Sequence, residues 1–185
     1  MEPPKALHTP LSDEVLAVLH AGDRCTISGS VYTARDAAHR RLVELLEAGK
    51  PLPFPLDGAV IYYAGPTPAP PGRVIGSIGP TTSLRMDRYT PPLLARGLKG
   101  MIGKGPRGTE VRDALQEHKA VYFAAISGAA ALTAQAVVSA EMIAFAELGP
   151  EAIRRLEVRN LPVVVINDVF GGDFYEAGIK KFSIG

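Results

Sequence analysis

At 185 residues, 46% of them hydrophobic and 21% charged, with a formal net charge of +1, the sequence describes an ordinary globular protein with chain enough for a sizeable core. That composition excludes a disordered polyelectrolyte, and the near-neutral balance offers nucleic acid no basic footprint. The longest apolar runs, 121–125 and 161–166, are far too short to span a bilayer, and Met1-Glu2-Pro3-Pro4-Lys5 has neither the basic nor the apolar region of a secretory signal; a cytoplasmic protein is expected.

Nineteen glycines and sixteen prolines cut the chain into short elements. Ser12 before Asp13-Glu14 and an apolar run reads as a capped short helix ending before Gly22. Cys25, Ile27 and Val31 alternate with Thr26, Ser28 and Ser30, the pattern of a half-buried strand. Thr33, with Asp36 three residues on, predicts the cap of a longer helix whose inner stripe is Leu42, Val43, Leu45 and Leu46 and whose stop is Gly49. A strand is expected over 59–63, then a proline-rich loop over 65–72, then a strand over 74–78 and a polar turn. Thr90-Pro91 opens a helix through 98. A brief strand over 100–103, a helix over 109–118 and a buried strand over 121–126 come next. Small residues dominate 128–138. Beyond them a strand over 142–148, a short helix over 150–156 and a last core strand over 161–166 are expected, while the tail from Gly171 to Gly185 has weak periodicity. Strands alternate with helices throughout, so the expected class is α/β, a layered sheet in one domain covering 1–185.

Cys25 is the only cysteine and reads as a small buried core residue; a single thiol makes no intrachain disulfide and no iron–sulfur cluster. His8, His20, His39 and His118 lack paired metal-ligand spacing, so no metal ligands are expected here. Chemistry gathers instead in turns that follow strands, where α/β proteins generally collect ligands. Those turns carry Arg35, Asp36 and His39; Thr81, Thr82, Ser83 and Arg85; and Lys104. Arginine forks match carboxylates two bonds at a time and lysine adds a point charge, so the set suits a small dianion, either a dicarboxylate or a phosphate ester. Ile102-Gly103-Lys104-Gly105 lacks the spacing of a nucleotide-binding loop, and Pro106 follows it.

Taken together, Thr33-Ala34-Arg35-Asp36-Ala37-Ala38-His39-Arg40, Gly79-Pro80-Thr81-Thr82-Ser83-Leu84-Arg85-Met86-Asp87-Arg88-Tyr89-Thr90-Pro91 and Ile102-Gly103-Lys104-Gly105 resemble the C-terminal, or β, region of class I fumarases and L-tartrate dehydratases. Gly128-Ala129-Ala130-Ala131-Leu132, Leu148-Gly149-Pro150-Glu151-Ala152 and Pro162-Val163-Val164-Val165 are similar to that family too, so the resemblance runs from about Leu7 to Gly171. It implies a swivelling β/β/α domain that closes on a cluster-bearing domain, with the active site between them. It also implies reversible hydration of an unsaturated dicarboxylate, for fumarase a step of the tricarboxylic acid cycle. In such enzymes a [4Fe–4S] cluster with one cysteine-free iron serves as Lewis acid. The cluster cysteines belong to a separate α domain or subunit, here expected as the partner in an α2β2 heterotetramer. Carried over by motif, Arg35, Arg85 and Lys104 hold substrate carboxylates and Thr81 is the catalytic hydroxyl. Asp36, His39, Thr82 and Ser83 support them. Leu84 stands where fumarases often carry a smaller residue, which leaves fumarate and tartrate both open. A non-catalytic dicarboxylate-binding module is the competing expectation.

Overall fold

Short apolar runs bounded by glycine and proline resolve, in a computed structural model describing residues 3–125 and 130–182, into strands laid side by side with helices between them. In chain order they are β1 (Lys5–His8), α1 (Asp13–Leu16), β2 (Arg24–Thr33), α2 (Asp36–Glu47) and β3 (Val60–Tyr62). A 3-10 helix, Ser83–Tyr89, runs straight into α3 (Thr90–Leu94), and β4 (Gly100–Gly103), α4 (Thr109–Glu117) and β5 (Val121–Ala125) follow. The rest comprises α5 (Ala130–Gln135), β6 (Val137–Ala144), a second 3-10 segment (Ala146–Glu151), β7 (Ile153–Asn167) and α6 (Phe174–Phe182). Among the described residues no helix is long and apolar enough to cross a membrane.

β1 to β5 pair in parallel, each with the next, and β7 runs antiparallel to β2, β5 and β6. Because β7 bonds both β5 and β2, the ladder β2-β3-β4-β5-β7 returns to its own first strand. The seven-stranded mixed sheet therefore curls on itself and has two buried faces. On one, strand packs on strand, with Ile27, Val31, Tyr62, Ile102, Phe123, Leu156 and Val163 among the side chains. On the other, Ile61, Tyr63, Met101, Tyr122 and Ile166 meet Ala38 and Leu42 of α2, Leu93 and Leu94 of α3, and Val111 and Leu115 of α4. Burial on both faces is why β3, β4 and β5 read as continuous apolar runs rather than alternating ones. Each buried large aliphatic contributes about 1.5–3 kcal/mol of transfer free energy.

Several expected boundaries shift. The 74–78 segment is not a strand: Ile75 and Ile78 are buried, but its described backbone pairing is a single bond from Thr67 N to the Ser77 carbonyl. Gly76 lies so close to Thr67 that a Cβ would sit 2.4 Å from the Thr67 carbonyl oxygen, and the segment is a tucked loop. The expected helix over 150–156 is also absent; the chain makes a 3-10 turn to Glu151 and is extended from Ile153. The 161–166 strand is the second half of the fifteen-residue β7. Partners override local spacing here, since β7 is gripped by β2 on one side and β6 on the other. The strand expected over 142–148 begins earlier, at Val137, and the helix expected through 98 stops at Leu94. β1, four residues long, and α6 in the weakly periodic tail carried no signal in the sequence. Residue 126 and Gly128-Ala129 of the quoted small-residue stretch lie outside the described residues.

Candidate active site

β3 and β4 are parallel neighbours and end side by side, and the polar turn after the 74–78 loop returns to their ends. Thr81 donates twice to the Tyr63 carbonyl, from its backbone N at 2.7 Å and from Oγ1 at 2.8 Å. Thr82 and Lys104 form a parallel bridge, closed by Lys104 N to the Thr81 carbonyl at 3.3 Å and Ser83 N to the Lys104 carbonyl at 2.9 Å. The motif turn thus extends the sheet by one rung and sets Thr81 and Lys104 on neighbouring stretches of backbone.

Ser83 is fully buried beneath this rung. Its Oγ lies 2.8 Å from the Tyr122 hydroxyl, which itself donates to the Gly105 carbonyl at 2.8 Å. A phenol has one proton, so Ser83 is the donor of the pair. Burial pushes the Tyr122 phenol above its ordinary range and keeps it a donor. Only glycine fits at 103, because a Cβ there would stand 1.9 Å from Ser83 Oγ. Ser83 is thereby a tie between two turns, while Thr82 is exposed and pairs through its backbone.

Arg35 lies two residues beyond the end of β2 and is the N-cap of α2, but it gives no side-chain cap. Thr33, the expected cap, instead donates to the Ala152 carbonyl and accepts from Arg154 N, fastening β2 to β7. Glu151 supplies the missing cap: one carboxylate oxygen accepts from Ala37 N at 2.9 Å while the other lies 3.5 Å from an Arg35 Nη. Asp36 Oδ1 accepts from Arg85 Nε at 2.8 Å, so Asp36 draws Arg85 toward Arg35. Arg35 Nε and Asp36 Oδ2 are buried with no hydrogen-bond partner. Leu84 and Arg85 are more than half exposed, and Lys104 is exposed with no ion-pair partner among the described residues. The structure therefore brings Thr81 and Lys104 together through backbone pairing, and Arg85, two residues beyond Ser83, is tied through Asp36 to the helix start that carries Arg35.

His39 is completely buried, one turn into α2. Its Nδ1 sits 2.9 Å from the Arg35 carbonyl, which only accepts, so the proton is on Nδ1 and the unpartnered Nε2 is the bare nitrogen. Its ring meets the edge of Tyr63 at 5.1 Å. Burial pushes its pKa down from 6.5 to about 4, opposed by the Arg35 carbonyl. The unfolded chain therefore takes up this proton first on acidification. His39 contributes stability that is complete above pH 6.5 and lost as pH falls toward 4, a loss of about 3 kcal/mol. Urea unfolding at pH 7 and pH 4.5 is expected to show that loss in the parent chain and a flatter response in His39→Gln. Equal acid sensitivity in both would remove His39 as its source.

Sequence reasoning missed Tyr63, Asp87, Arg107, Tyr122 and Glu151 as parts of the site. Asp87 and Glu151 stood inside quoted motifs, but their partners lie far away in sequence, and no spacing announces a buried arginine.

The three cations and the hydroxyl lie on turns at neighbouring strand and helix ends, a set whose chemistry suits an anionic ligand. It does not fit a cluster: among the described residues no group of three His, Cys, Asp or Glu could hold a metal ion. Cys25 is buried with its thiol pushed up to about 11 by that burial, which leaves it protonated.

The model of the fumarase C-terminus matches residues 5–178. The chain belongs to the fumarase C-terminus family. Its members include the anaerobic class I fumarate hydratase of Escherichia coli (strain K12), 39% identical over 180 residues, which is 95% of this chain and 33% of that one. Fumarate hydratase 1, mitochondrial, of Leishmania major is 41% identical over 155 residues, 83% of this chain and 28% of that one. A putative L(+)-tartrate dehydratase subunit beta of Methanocaldococcus jannaschii is 38% identical over 169 residues, 88% of this chain and 87% of that one. The chain thus spans about a third of the fumarase relatives it matches and most of the tartrate dehydratase subunit. The relatives are hydro-lyases by name.

Proposed function

We propose that this chain is the β subunit of a two-subunit, iron–sulfur-dependent hydro-lyase, a fumarate hydratase interconverting fumarate and (S)-malate. It acts as one domain over 1–185 of the swivelling β/β/α kind in a cytoplasmic α2β2 assembly. The observation that carries the reading is the exposed set itself. Lys104 stands exposed and without an ion-pair partner among the described residues, and Arg85, held by Asp36 through Nε, turns the rest of its fork to solvent, half of a dicarboxylate site that another surface must close. The match to a protein named as a tartrate dehydratase subunit beta, over most of its length, supports a partner that supplies the rest, the [4Fe–4S] cluster included.

Within this reading Arg35, Arg85 and Lys104 hold the substrate carboxylates. Thr81 Oγ1 stands at the carbon that exchanges a proton. An alcohol is a weak base in water, so Thr81 works in its deprotonated form, with Oγ1 turned from the Tyr63 carbonyl it bonds here toward the cations of the closed site, where water is excluded. L-Tartrate is the second substrate reading, on the strength of the Methanocaldococcus jannaschii relative.

Anaerobic co-expression with a cluster-bearing partner is the test. The co-purified complex is expected to hydrate fumarate, and its kcat/KM on malate and L-tartrate assigns the substrate. The chain purified alone is expected to be colourless, iron-free and inactive. A cluster absorbance band with turnover in the isolated chain would overturn the division between subunits. A fully loaded complex inert toward every small dicarboxylate would overturn the activity.

A further inference from the structure

Arg107 is a cation buried in the interior, its side chain wholly inaccessible, and the site as described does not use it. It lies three residues beyond Lys104, in the turn between β4 and α4. Nε donates to Asp87 Oδ1 at 2.7 Å, one Nη to the Tyr63 hydroxyl at 3.1 Å, and the other Nη to Thr90 Oγ1 at 2.7 Å. The guanidinium also lies within 5.3 Å of the ring centroids of Tyr63 and Tyr122.

Each partner leads to a site residue. Asp87 sits on the 3-10 helix that carries Arg85, and its second oxygen accepts from Gly108 N at 2.6 Å, clamping that helix to the turn after Lys104. Thr90 passes the contact to the Met86 carbonyl on the same helix. The Tyr63 carbonyl receives both Thr81 bonds, and its ring bears on His39, which holds the Arg35 carbonyl. Tyr122 ties Ser83 to Gly105.

We propose that Arg107 is a positioning residue of this site, holding the Thr81–Ser83 turn, the Arg85 helix and the Lys104 turn in one mutual register. The physical argument is what a buried ion pair is good for. Desolvating a guanidinium and a carboxylate largely cancels their attraction, and apolar residues of the same volume often stabilise as well or better. What apolar residues lack is direction. A planar fork with three acceptors at fixed angles admits one arrangement of the segments it joins, and catalysis is sensitive to that arrangement in a way that folding is not.

This rests on the hydro-lyase reading for its consequence but not for its structural content, and the test separates the two. Hydrogen–deuterium exchange is measured on the full chain and on the co-purified complex, for the parent, Arg107→Lys and Tyr63→Phe. Lysine keeps the charge and loses the fork; phenylalanine removes one acceptor and leaves the packing. In Arg107→Lys, amides over 81–90 and 104–108 are expected to lose protection by about tenfold, with the β2–β7 ladder unchanged. The kcat of the cluster-loaded complex is expected to fall by about 10²-fold, with KM moving far less. Tyr63→Phe is expected to give a smaller change in the same amides. Loss of protection spread evenly through the β2–β7 ladder would make Arg107 a general stability residue and overturn the proposal, as would unchanged exchange with unchanged kcat. Selective loss in a chain whose loaded parent complex hydrates no dicarboxylate would support Arg107's hold on the three segments and remove the hydro-lyase reading instead.

Discussion

Thr81→Ala in the cluster-loaded complex is expected to lower kcat by about 10²–10⁴-fold while substrate affinity changes far less. Two separate bonds join Thr81 to the Tyr63 carbonyl, one from the backbone N and one from Oγ1. Alanine keeps the first, so the turn and its rung with Lys104 remain, and the side-chain bond lost is a partly exposed one worth about 1 kcal/mol. Stability and chemistry therefore predict different magnitudes from the same substitution. If Oγ1 only braces the turn, the melting temperature falls a little and turnover is nearly intact. If Oγ1 handles the proton, turnover collapses in a complex of near-normal stability. Thr81→Ser keeps the oxygen and the bond to Tyr63, and is expected to recover part of the rate. Turnover, melting temperature and iron content measured on one preparation decide it. Normal turnover in the alanine variant would take Thr81 out of the mechanism.

Much of this site was legible in the sequence because its residues sit in short local motifs. Thr81 and Arg85 lie four residues apart, in a turn and the 3-10 helix it opens, and Lys104 follows a strand. The same is true of fold features set by one or two residues, such as Ser12, which accepts from Val15 N, and Gly49, whose φ of +63° ends α2. What failed were features set by distant partners. Ile153 and Leu156, three apart behind a proline, imitate a helix until β2 and β6 are there to pair with them. Val74 to Ile78 has the apolar residues of a strand but no neighbouring strand to receive it. His39 falls on the inner face of α2 with Ala38 and Leu42, a face displaced from the expected stripe, since Val43 and Leu45 are only half-buried. Arg107 is the extreme case: a charge can occupy a core only where Asp87, Tyr63 and Thr90 converge, and their sequence separations of 17 to 44 residues give no local sign.

Arg85→Lys is expected to leave the fold intact and lower kcat/KM of the assembled enzyme by about 10²-fold, equivalent to about 3 kcal/mol. The geometry explains why a charge-preserving change is so costly. Asp36 engages Arg85 through Nε alone, and among the described residues neither Nη has a protein acceptor. The end of the fork is thus oriented by Asp36 and left open, the form in which a guanidinium takes both oxygens of a carboxylate. Lysine loses this twice over: its single ammonium cannot hold Asp36 and a substrate carboxylate in the same fixed geometry, and it has no planar pair of donors. Because Arg85 is more than half exposed in this chain, its ion pair with Asp36 contributes little to stability, and the melting temperature is expected to stay within a few degrees of the parent. Asp36→Asn should produce a milder defect of the same kind, since the amide oxygen still accepts from Nε without the charge. Arg35→Lys checks the other end of the site, where Glu151 takes the place of Asp36. Near-normal kcat/KM in Arg85→Lys would show that Arg85 clamps no carboxylate. A loss matched by a large fall in melting temperature would assign it to the fold. A loss of about 10²-fold at unchanged stability, shared by Arg35→Lys, would place a dicarboxylate between the two arginines.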